Sequence, residues 1–348
     1  MILVTGAAGF IGSAFVWQLN QEGIKDIILV DKLRNEDKWK NIAKREYCDW
    51  VDKDELFDWL AVEKNATQIK VIVHMGAISA TTETDGDLLM KNNYEFSKKL
   101  WDFSVERNIQ YIYASSAATY GMGEDGYEDN LDLKGHESLR PLNKYGYSKK
   151  IFDVWALKQE ETPKQWVGLK FFNVYGPQEY HKGRMASMVF HAHNQVLKDG
   201  IVKLFKSHKE GYEDGQQLRD FVYIKDIVSV MSWLIKNPKV SGVFNLGTGK
   251  ARGFYDLALN TIKNSGLKEY KGAENHIEFV PMPEDLRGKY QYFTEANMTK
   301  LKESGYTKEF YSLEEGVKDY VENYLSKEDK YLYKSIIFYH KTCNFYRK

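Results

Sequence analysis

The segment VTGAAGFIGS constrains the fold most, because it places three glycines between a predicted strand and a predicted helix. The strand Met1–Thr5 is short and apolar, and the apolar spacing that follows predicts a helix over Phe10–Glu22. Gly6, Gly9 and Gly12 have the spacing G-x-x-G-x-x-G. In this position Gly6 allows a tight turn, Gly9 lets the backbone approach a pyrophosphate, and Gly12 lets the helix pack closely on the strand. The helix N-terminus would then direct its free N–H groups at the phosphates of a dinucleotide.

The alternation of predicted strands and helices indicates an α/β fold with a Rossmann-type, doubly wound parallel sheet. Further strands are predicted at 26–30, 70–77, 110–116 and 166–172, and further helices at 52–63, 86–108 and 144–161. After Asn173 the alternation breaks and the apolar segments become short. We therefore expect a dinucleotide-binding domain over 1–172, to which some later segments return. A smaller substrate-binding lobe is expected over 173–325 and an appended tail over 326–348.

Charge and composition restrict the partners and the compartment. Forty-nine basic residues balance 49 acidic residues, so nothing in the net charge favours nucleic acid or an anionic membrane. No apolar run reaches the ~20 residues that span a bilayer, and the N-terminus lacks the basic region of a signal peptide. Cys48 and Cys343 are far apart, so neither a disulfide framework nor a metal site is predicted. A cytoplasmic protein without a metal is expected.

The end of the second predicted strand bears on the choice between NAD and NADP. Asp31 lies 19 residues after Gly12, where a carboxylate usually binds a ribose 2′-hydroxyl and favours NAD. Lys32, Arg34 and Lys38 follow at once, and cations there could bind the 2′-phosphate of NADP. A solvated basic loop is the alternative interpretation of these three residues.

The segment NKYGYSKK contains two tyrosines and two lysines at helical spacings. Tyr145 and Lys149 are four residues apart, and Tyr147 and Lys150 are three apart, so either pair could share a helix face. Oxidation of a hydroxyl needs a base, and the ordinary tyrosine pKa of ~10 is too high for one near neutrality. A neighbouring ammonium group favours the phenolate, which is why a Tyr–Lys pair suits this chemistry. The polar edge of an ordinary helix is the alternative.

Further motifs occur in a fixed order: HMGAIS, ASSAATYG, PLNKYGYSK, FFNVYGPQEYHKGRMAS, RDFVY and FNLGTG. With the glycine loop they resemble the extended short-chain dehydrogenase/reductase family that acts on nucleotide sugars, and within it the epimerases of ADP-heptose. The resemblance covers about residues 1–325. It implies an epimerase with a tightly held nicotinamide cofactor, NADP rather than NAD, and an ADP-heptose substrate. It also implies a homo-oligomer, pentameric in the best-known members.

The resemblance assigns roles to individual residues. The implied catalytic residues are Tyr145, Lys149, Ser116 and Lys182. Ser116 would bond the substrate oxygen, with Ser115 as the alternative, and Lys182 would be a second base that permits inversion at C6″, with His181 the weaker candidate. The implied cofactor-binding residues are Gly6, Gly9, Phe10, Ile11, Gly12, Asp31, Lys32, Lys38, Lys53, Met75, Gly76, Ala77, Ile78, Ser79, Asn92, Lys149 and Val174. The implied substrate-binding residues are Asn173, Arg184, His191, Phe205, Lys206, Ser207, His208, Arg219 and Tyr290.

One of these assignments has an alternative, and one residue departs from the family pattern. Arg219 is the candidate for the substrate diphosphate, because a guanidinium group matches phosphate oxygens bidentately. A salt bridge from Arg219 to Asp220 or Asp226 is the other interpretation. Arg184 stands where family members often have serine, which bears on substrate preference.

The same family contains enzymes that eliminate water. The related dehydratases carry an Asp–Glu pair just after the serine, where this chain has Ala117 and Ala118, so dehydration is not expected. A 4-epimerase and a catalytically silent NADP-binding regulator remain the alternative functions.

Overall fold

The computed structural model describes residues 1–266, 272–287 and 290–333. Its strands are β1 (Ile2–Thr5), β2 (Ile27–Asp31), β3 (Asp49–Asp52), β4 (Val71–His74), β5 (Gln110–Ser116), β6 (Gln165–Phe171), β7 (Asn173–Tyr175), β8 (Val202–Phe205), β9 (Leu218–Tyr223), β10 (Gly242–Leu246), β11 (Ala251–Gly253) and β12 (Ile277–Val280). Its α-helices are α1 (Phe10–Gln21), α2 (Leu56–Ala61), α3 (Glu63–Ala66), α4 (Gly86–Leu89), α5 (Phe96–Glu106), α6 (Leu133–Ser138), α7 (Lys144–Leu157), α8 (Met188–Asp199), α9 (Ile224–Lys236), α10 (Phe254–Asn264), α11 (Glu284–Arg287), α12 (Thr299–Glu303) and α13 (Leu313–Tyr320).

Within these residues, seven strands form one parallel sheet in the order β10-β6-β5-β4-β1-β2-β3. From β1 the chain first builds outward through β2 and β3 and then returns to build the other side, beginning at β4. The direction of winding therefore reverses between β1 and β4, and ligands of such sheets bind outside the carboxyl ends of the strands at this point. The doubly wound parallel sheet predicted from the sequence is confirmed.

Both faces of this sheet are covered, so its central strands are buried along their whole length. Every residue of β1 and β2 is buried, as expected for a parallel sheet between two helical layers. Alternate residues enter two separate cores. Val4 packs with Phe15 of α1 and Ile227 of α9 on one face, whereas Leu3 packs with Trp101 on the other.

Three elements of the sheet domain were not predicted individually from the sequence. Strand β3 is a short edge strand beside β2, and its four residues are only partly apolar. Helix α9 packs on α1 although it lies far along the chain, and β10 joins the sheet beside β6. The predicted helix 86–108 is also divided: α4 and α5 are separated by a π-helical segment, Met90–Glu95. Such segments often occur at functional sites.

The smaller lobe lies beyond the carboxyl ends of the strands. Strands β11, β9 and β7 form a mixed sheet, and β12 pairs with β8. Helices α8 and α10 pack on the β8–β12 pair through Ala192, Val196, Leu204, Ala258 and Ile262. Strand β9, which carries Arg219, is the central strand of the three-stranded sheet.

The segment predicted as an appended tail begins with residues that pack on the sheet domain. We call residues 329–333 the C-terminal strap. Leu332 is fully buried, and its backbone accepts a hydrogen bond from Arg45 and donates one to Gln178. Trp17 of α1 donates to the backbone oxygen of Tyr333 at 2.8 Å. Residues 334–348, with the apolar run 335–339 noted in the sequence, lie outside the described residues.

No helix among residues 1–266, 272–287 and 290–333 is long and apolar enough to cross a membrane. The described residues also contain no group of three or more His, Cys, Asp or Glu side chains that could hold a metal ion.

Helix α9 contains a buried carboxyl group that makes stability depend on pH. Burial raises the pKa of Asp226 from 3.8 to about 7, although Tyr311 donates a backbone hydrogen bond to it at 3.1 Å. Between these two values the folded protein holds a proton that the unfolded chain has released. Stability contributed by this group is therefore complete below pH 3.8 and is lost as the pH rises through about 7.

We expect Asp226→Asn to raise the free energy of unfolding at pH 8 by about 2–4 kcal/mol, since each pKa unit corresponds to roughly 1.4 kcal/mol. The gain should disappear near pH 4, and urea unfolding at both pH values measures it. Asp319→Asn is the matched control. Although burial alone would raise the pKa of Asp319, hydrogen bonds from Lys225 and Tyr223 keep it below its usual value, so this variant should lose stability at pH 8. No gain for Asp226→Asn at pH 8 would contradict the argument.

Candidate active site

The glycine loop joins β1 to α1 at the point where the winding of the sheet reverses. Gly6 has a φ of +63°, and a Cβ atom on it would lie 2.6 Å from the backbone nitrogen of Gly76. A Cβ atom on Gly12 would lie 2.1 Å from the backbone oxygen of Gly6. Side chains at either position would push the loop away from the helix or from the loop after β4. The three segments can approach each other this closely only with glycine at both positions.

The first turn of α1 fits an anionic ligand. Gly9 is the N-cap residue and offers no side-chain cap, and the first turn contains no acidic residue. The first N–H groups of a helix have no partner within the helix, and its N-terminus carries a partial positive charge. The loop therefore fits the pyrophosphate of a dinucleotide, with Phe10, Ile11 and Gly12 at the helix N-terminus.

Asp31 and Lys38 form one cluster at the end of β2. The Asp31 carboxylate accepts hydrogen bonds from the backbone of Ala8 at 2.8 Å, from its neighbour Lys32 at 2.7 Å and from the Lys38 ammonium at 2.8 Å. The side chains of Lys38 and Asp31 are 14% and 9% exposed, so this ion pair is largely shielded from water. Asp31 thus braces the glycine loop and also holds Lys38 at the same corner.

Two further lysines lie near that corner but have other partners. Lys32 forms an exposed salt bridge with Asp54, and Lys53 bonds the same carboxylate at 3.3 Å. The Lys53 ammonium also lies 5.1 Å from the centre of the Phe96 ring. Of these three lysines, only Lys38 bonds Asp31 through its ammonium group.

The loop 75–79 follows β4 and faces the glycine loop. Its first two amide groups donate to Thr5, and the backbone of Ile78 exchanges two 2.9 Å hydrogen bonds with the side chain of Asn93. Asn93 is fully buried in the π-helical segment, whereas the predicted Asn92 is half-buried and donates to Asn93 at 3.1 Å. Sequence reasoning therefore missed the residue that holds this loop, because a π-helical turn shifts the helix face by one residue.

The structure brings together Ser116, Tyr145 and Lys149. Asn143 caps α7 by accepting a hydrogen bond from Gly146 at 2.8 Å. A Cβ atom on Gly146 would lie 2.7 Å from the backbone oxygen of Ala118, so glycine here lets α7 lie against the turn that follows β5. As a result the Tyr145 phenol lies next to the Ser116 hydroxyl.

Burial shifts the pKa values of both Tyr145 and Lys149. Burial raises the pKa of Tyr145, and the bond to Ser116 offsets part of the increase. Lys149 is 3% exposed, and burial lowers its pKa to about 8 while Asp153 acts in the opposite direction. Lys149 therefore remains largely protonated at neutral pH and can stabilise a Tyr145 phenolate. Tyr147 is 52% exposed and lies apart from this cluster.

Ser115, the alternative to Ser116, points into a buried polar network. Its hydroxyl donates to Asp153 at 2.7 Å, and Asp153 also pairs with Lys170 at 2.7 Å. Tyr113 donates to the other oxygen of Asp153 at 3.0 Å. Ser115 is therefore already engaged by Asp153, whereas Ser116 lies next to Tyr145.

Lys182 lies on the loop that follows β7, in a short 3₁₀-helix, Tyr180–Met185. Its ammonium group lies 5.1 Å from the centre of the Phe10 ring at the start of α1. Burial lowers the pKa of Lys182, and Glu179 acts in the opposite direction. His181 instead turns toward the Asp31–Lys38 corner, where its ring contacts the Asn41 side chain at 3.3 Å. Lys182 is thus on a different element from Tyr145, and its ammonium group lies at the start of α1, directly after the glycine loop.

Arg219 and Tyr290 face each other in the smaller lobe. The guanidinium carbon of Arg219 lies 5.2 Å from the Tyr290 ring centre and 5.8 Å from that of Phe254. Arg219 donates to the backbone oxygens of Leu218 and Gln291, and in the described part of the chain it forms no salt bridge.

The two suggested carboxylate partners of Arg219 are occupied elsewhere. Asp220 accepts hydrogen bonds from the Thr248 and Gly249 amides at 2.7 and 2.9 Å, and Asp226 accepts one from Tyr311. A buried guanidinium group without a carboxylate partner fits an anionic ligand.

The remaining predicted substrate residues are spread around the smaller lobe. The Phe205 ring meets the Tyr290 ring edge-on, with the two ring centres 6.4 Å apart. The backbone amide of His208 donates to the Tyr292 hydroxyl, and the His208 ring accepts from the backbone amide of Met282. The Ser207 hydroxyl donates to the backbone of Lys209, so it is already engaged. Lys206, Asn173 and Arg184 are exposed, and His191 is half-buried beside Phe190. Val174, predicted to contact the cofactor, is half-buried in β7 beside β9.

Comparisons with known proteins identify the family to which the chain belongs. Residues 2–247 match the model of the NAD dependent epimerase/dehydratase family. The ADP-L-glycero-D-manno-heptose-6-epimerase of Fusobacterium nucleatum is 63% identical over 332 residues, which cover 95% of this chain and 100% of that protein. The protein of the same name from Nitratidesulfovibrio vulgaris is 48% identical over the same shares.

Solved structures of other proteins share the fold of this chain. The ADP-L-glycero-D-manno-heptose-6-epimerase of Helicobacter pylori has a TM-score of 0.75 and 30% identity, covering 92% of this chain and 95% of that chain. The UDP-glucose 4-epimerase of Thermus thermophilus, in complex with NAD, has a TM-score of 0.71 at 24% identity, covering 92% and 97%, and supports the fold alone. The chain therefore belongs to the NAD dependent epimerase/dehydratase family, in the branch that includes the ADP-L-glycero-D-manno-heptose-6-epimerases.

Proposed function

We propose that this protein is an NADP-dependent epimerase that inverts C6″ of ADP-D-glycero-β-D-manno-heptose to give ADP-L-glycero-β-D-manno-heptose. The observation that carries the proposal is the position of the Tyr145 phenol next to the Ser116 hydroxyl, one helical turn before the buried Lys149, at the carboxyl ends of the parallel strands. The names of the two bacterial relatives supply the sugar and the nucleotide. The product would serve the synthesis of heptose-containing glycans such as lipopolysaccharide.

Each residue of this cluster has a distinct task in the proposed reaction. A bound nicotinamide supplies the reversible removal of a hydride from the substrate carbon. Tyr145 takes the proton of the C6″ hydroxyl, and the Lys149 ammonium stabilises the resulting phenolate. Ser116 holds the substrate oxygen beside Tyr145. Oxidation leaves a planar carbonyl group at C6″, which can be reduced on either face.

Inversion requires a second proton donor because the carbonyl must present its other face. After this rotation its oxygen lies in a new place, away from Tyr145. Lys182 is on a separate loop beside Phe10 at the start of α1, and burial lowers its pKa. We assign the second proton transfer to Lys182. Ala117 and Ala118 offer no acid for eliminating water, which disfavours a dehydratase.

Incubation with ADP-D-glycero-β-D-manno-heptose, with the C6″ configuration read by NMR, tests the proposal. We expect conversion to an equilibrium mixture of the two epimers without added cofactor. Turnover of a UDP-hexose at C4″ instead would indicate a 4-epimerase. Tight cofactor binding with no turnover of either sugar would indicate a silent NADP-binding regulator.

The preference for NADP rests on Lys38. Its ammonium group is held beside Asp31, at the strand end where the adenosine ribose of a dinucleotide lies. A 2′-phosphate there could take Lys38 as a partner, with Lys32 and Lys53 close by.

We expect Lys38→Ala to weaken NADPH binding by roughly 10–100-fold and NADH binding much less, because hydrogen bonds to charged groups contribute about 1.5–3 kcal/mol. Fluorescence titration with both cofactors measures the ratio. Lys40→Ala is the matched control, since Lys40 is exposed and paired with Asp37. An unchanged NADPH preference in Lys38→Ala would show that Lys38 does not select the cofactor.

Arg219 is the proposed contact for the substrate diphosphate. We expect Arg219→Ala to weaken ADP-sugar binding by roughly 10–100-fold, with NADP affinity unchanged, because a charged bidentate contact is lost. Isothermal titration measures both. Arg252→Ala is the control: Arg252 lies directly opposite Arg219 in the β11–β9 register, but Asp256 and Glu314 already neutralise it. Wild-type affinity for ADP-sugar in Arg219→Ala would overturn this assignment.

The proposal includes a cytoplasmic homo-oligomer, pentameric as the family resemblance implies. Light scattering coupled to size-exclusion chromatography determines the number of subunits.

A further inference from the structure

The loop that carries Lys182 is closed at both ends by one buried carboxyl group. Glu179 is fully buried, and its two oxygens accept hydrogen bonds from the Ser187 amide at 2.6 Å and the Ser187 hydroxyl at 2.6 Å. The Gly176 amide donates a longer bond at 3.4 Å. Gly176 precedes the loop and Ser187 follows it. The side chain of Glu179 therefore joins the two ends of the segment on which Lys182 lies.

The backbone at Glu179 also begins the turn that presents Lys182. The Lys182 amide donates to the Glu179 backbone oxygen at 3.0 Å, which starts the 3₁₀-helix. At the other end, the Ser187 hydroxyl accepts a bond from Phe190 at 3.4 Å and caps α8. The loop is thus anchored to β7 on one side and to α8 on the other, with Glu179 common to both anchors.

Glu179 and Lys182 each shift the pKa of the other. Burial raises the pKa of Glu179, and Lys182 is the main group that opposes this. Burial lowers the pKa of Lys182, and Glu179 opposes it in turn. Tyr180 beside Glu179 and Tyr320 of α13 are the other titratable groups that face this carboxyl group. His181 lies beside Lys182, and the Phe10 ring covers the ammonium group from α1.

We propose that Glu179 is a positioning residue for Lys182: its buried carboxylate closes the loop and supplies the counter-charge that keeps the Lys182 ammonium available as a proton donor. This inference rests on the proposed role of Lys182 in the epimerisation. The competing explanation is that Glu179 only holds the loop together. The two explanations differ in one respect, since a purely structural Glu179 would leave the titration of Lys182 where it is.

Glu179→Gln separates charge from shape. The glutamine side chain has the same size, its oxygen can accept from the Ser187 amide, and its NH₂ group can donate to the Ser187 hydroxyl. Removing the carboxylate removes the group that raises the pKa of Lys182. In Glu179→Gln we therefore expect Lys182 to titrate about one pH unit lower or more. The limb of the pH–rate profile of epimerisation that reports Lys182 should move to lower pH by the same amount.

The titration is followed by NMR of protein labelled with ¹³C at the lysine side chains and loaded with NADP. The Lys182 signal is assigned by its absence from Lys182→Met. If Glu179→Gln does not fold, Ser187→Ala is used, since losing the hydrogen bond from the Ser187 hydroxyl destabilises the Glu179 carboxylate and should shift Lys182 in the same direction. A Lys182 titration and a pH–rate profile that remain at wild-type positions in the variant that folds would overturn the inference.

The failure of this inference can be told from failure of the proposed function. If Lys182→Met still epimerises at the wild-type rate, Lys182 has no catalytic role, and both the two-base mechanism and the role of Glu179 in it are wrong. If Lys182→Met is inactive but Glu179→Gln leaves the Lys182 titration unchanged, the function stands and the inference alone is wrong.

Discussion

Tyr145→Phe should slow the oxidation of the substrate by about 10²–10⁴-fold, the range that loss of one general base or acid typically costs, and leave cofactor binding intact. Only the hydroxyl oxygen is removed, and the ring remains beside the Ser116 turn. The buried Lys149 then has no phenol to activate. The Ser116 hydroxyl that remains is too weak a base to take the proton of the C6″ hydroxyl. Single-turnover measurement of nicotinamide absorbance reports the oxidation, and fluorescence titration reports the cofactor affinity.

Tyr147→Phe is the matched control for this variant. It removes the same atom from the same helix, but Tyr147 is 52% exposed and lies apart from Ser116. We expect oxidation in this control at the wild-type rate. Oxidation by Tyr145→Phe within a few-fold of wild type would remove Tyr145 from the mechanism.

Lys182→Met should abolish epimerisation, with a loss of several orders of magnitude, while partial redox activity through Tyr145 persists. Methionine keeps most of the apolar stem that packs near Phe10 but has no proton to give. The carbonyl formed by oxidation could still be reduced on its original face, which returns the starting epimer. NMR of the C6″ configuration measures the loss, and reduction of a carbonyl analogue of the substrate measures the activity that remains.

Two further variants control this experiment. Lys198→Met removes an exposed lysine from α8, and we expect it to behave as wild type. His181→Gln tests the neighbouring candidate and should retain most of the epimerisation, because His181 faces Asn41. Epimerisation by Lys182→Met at the wild-type rate would exclude the two-base mechanism and favour a single base, as in a 4-epimerase.

The parts of the fold that could be predicted are those whose signal is local. The apolar residues of β1 and the glycines after it are adjacent in sequence, so their geometry follows from spacing alone. The same is true of Tyr145 and Lys149, which are one helical turn apart. The spacing left Ser115 and Ser116 as alternatives, and only the packing of α7 on β5 distinguishes them, since it brings Asp153 to one serine and Tyr145 to the other.

The parts that could not be predicted depend on partners distant in the chain. Asn93 holds the loop at Ile78 because a π-helical turn changes which face of the helix is presented, and no residue pattern signals this. Strand β3 is an edge strand with few apolar residues, so its periodicity is weak. Glu179 reads in the sequence as one more charged loop residue. Its importance appears only when its contacts with Gly176 and Ser187 are known.

The C-terminal strap imposes an order on events during synthesis. Residues 329–333 are translated after every segment that they contact: α1 at Trp17, the turn at Arg45, and the Lys182 loop at Gln178 and Tyr180. Domains generally fold from the N-terminus as the chain emerges from the ribosome. The nascent sheet domain must therefore exist for a time with the burial site of Leu332 uncovered. The Lys182 loop receives its last support only when residues 329–333 have emerged, so completion of the candidate active site follows, and cannot precede, the synthesis of this segment.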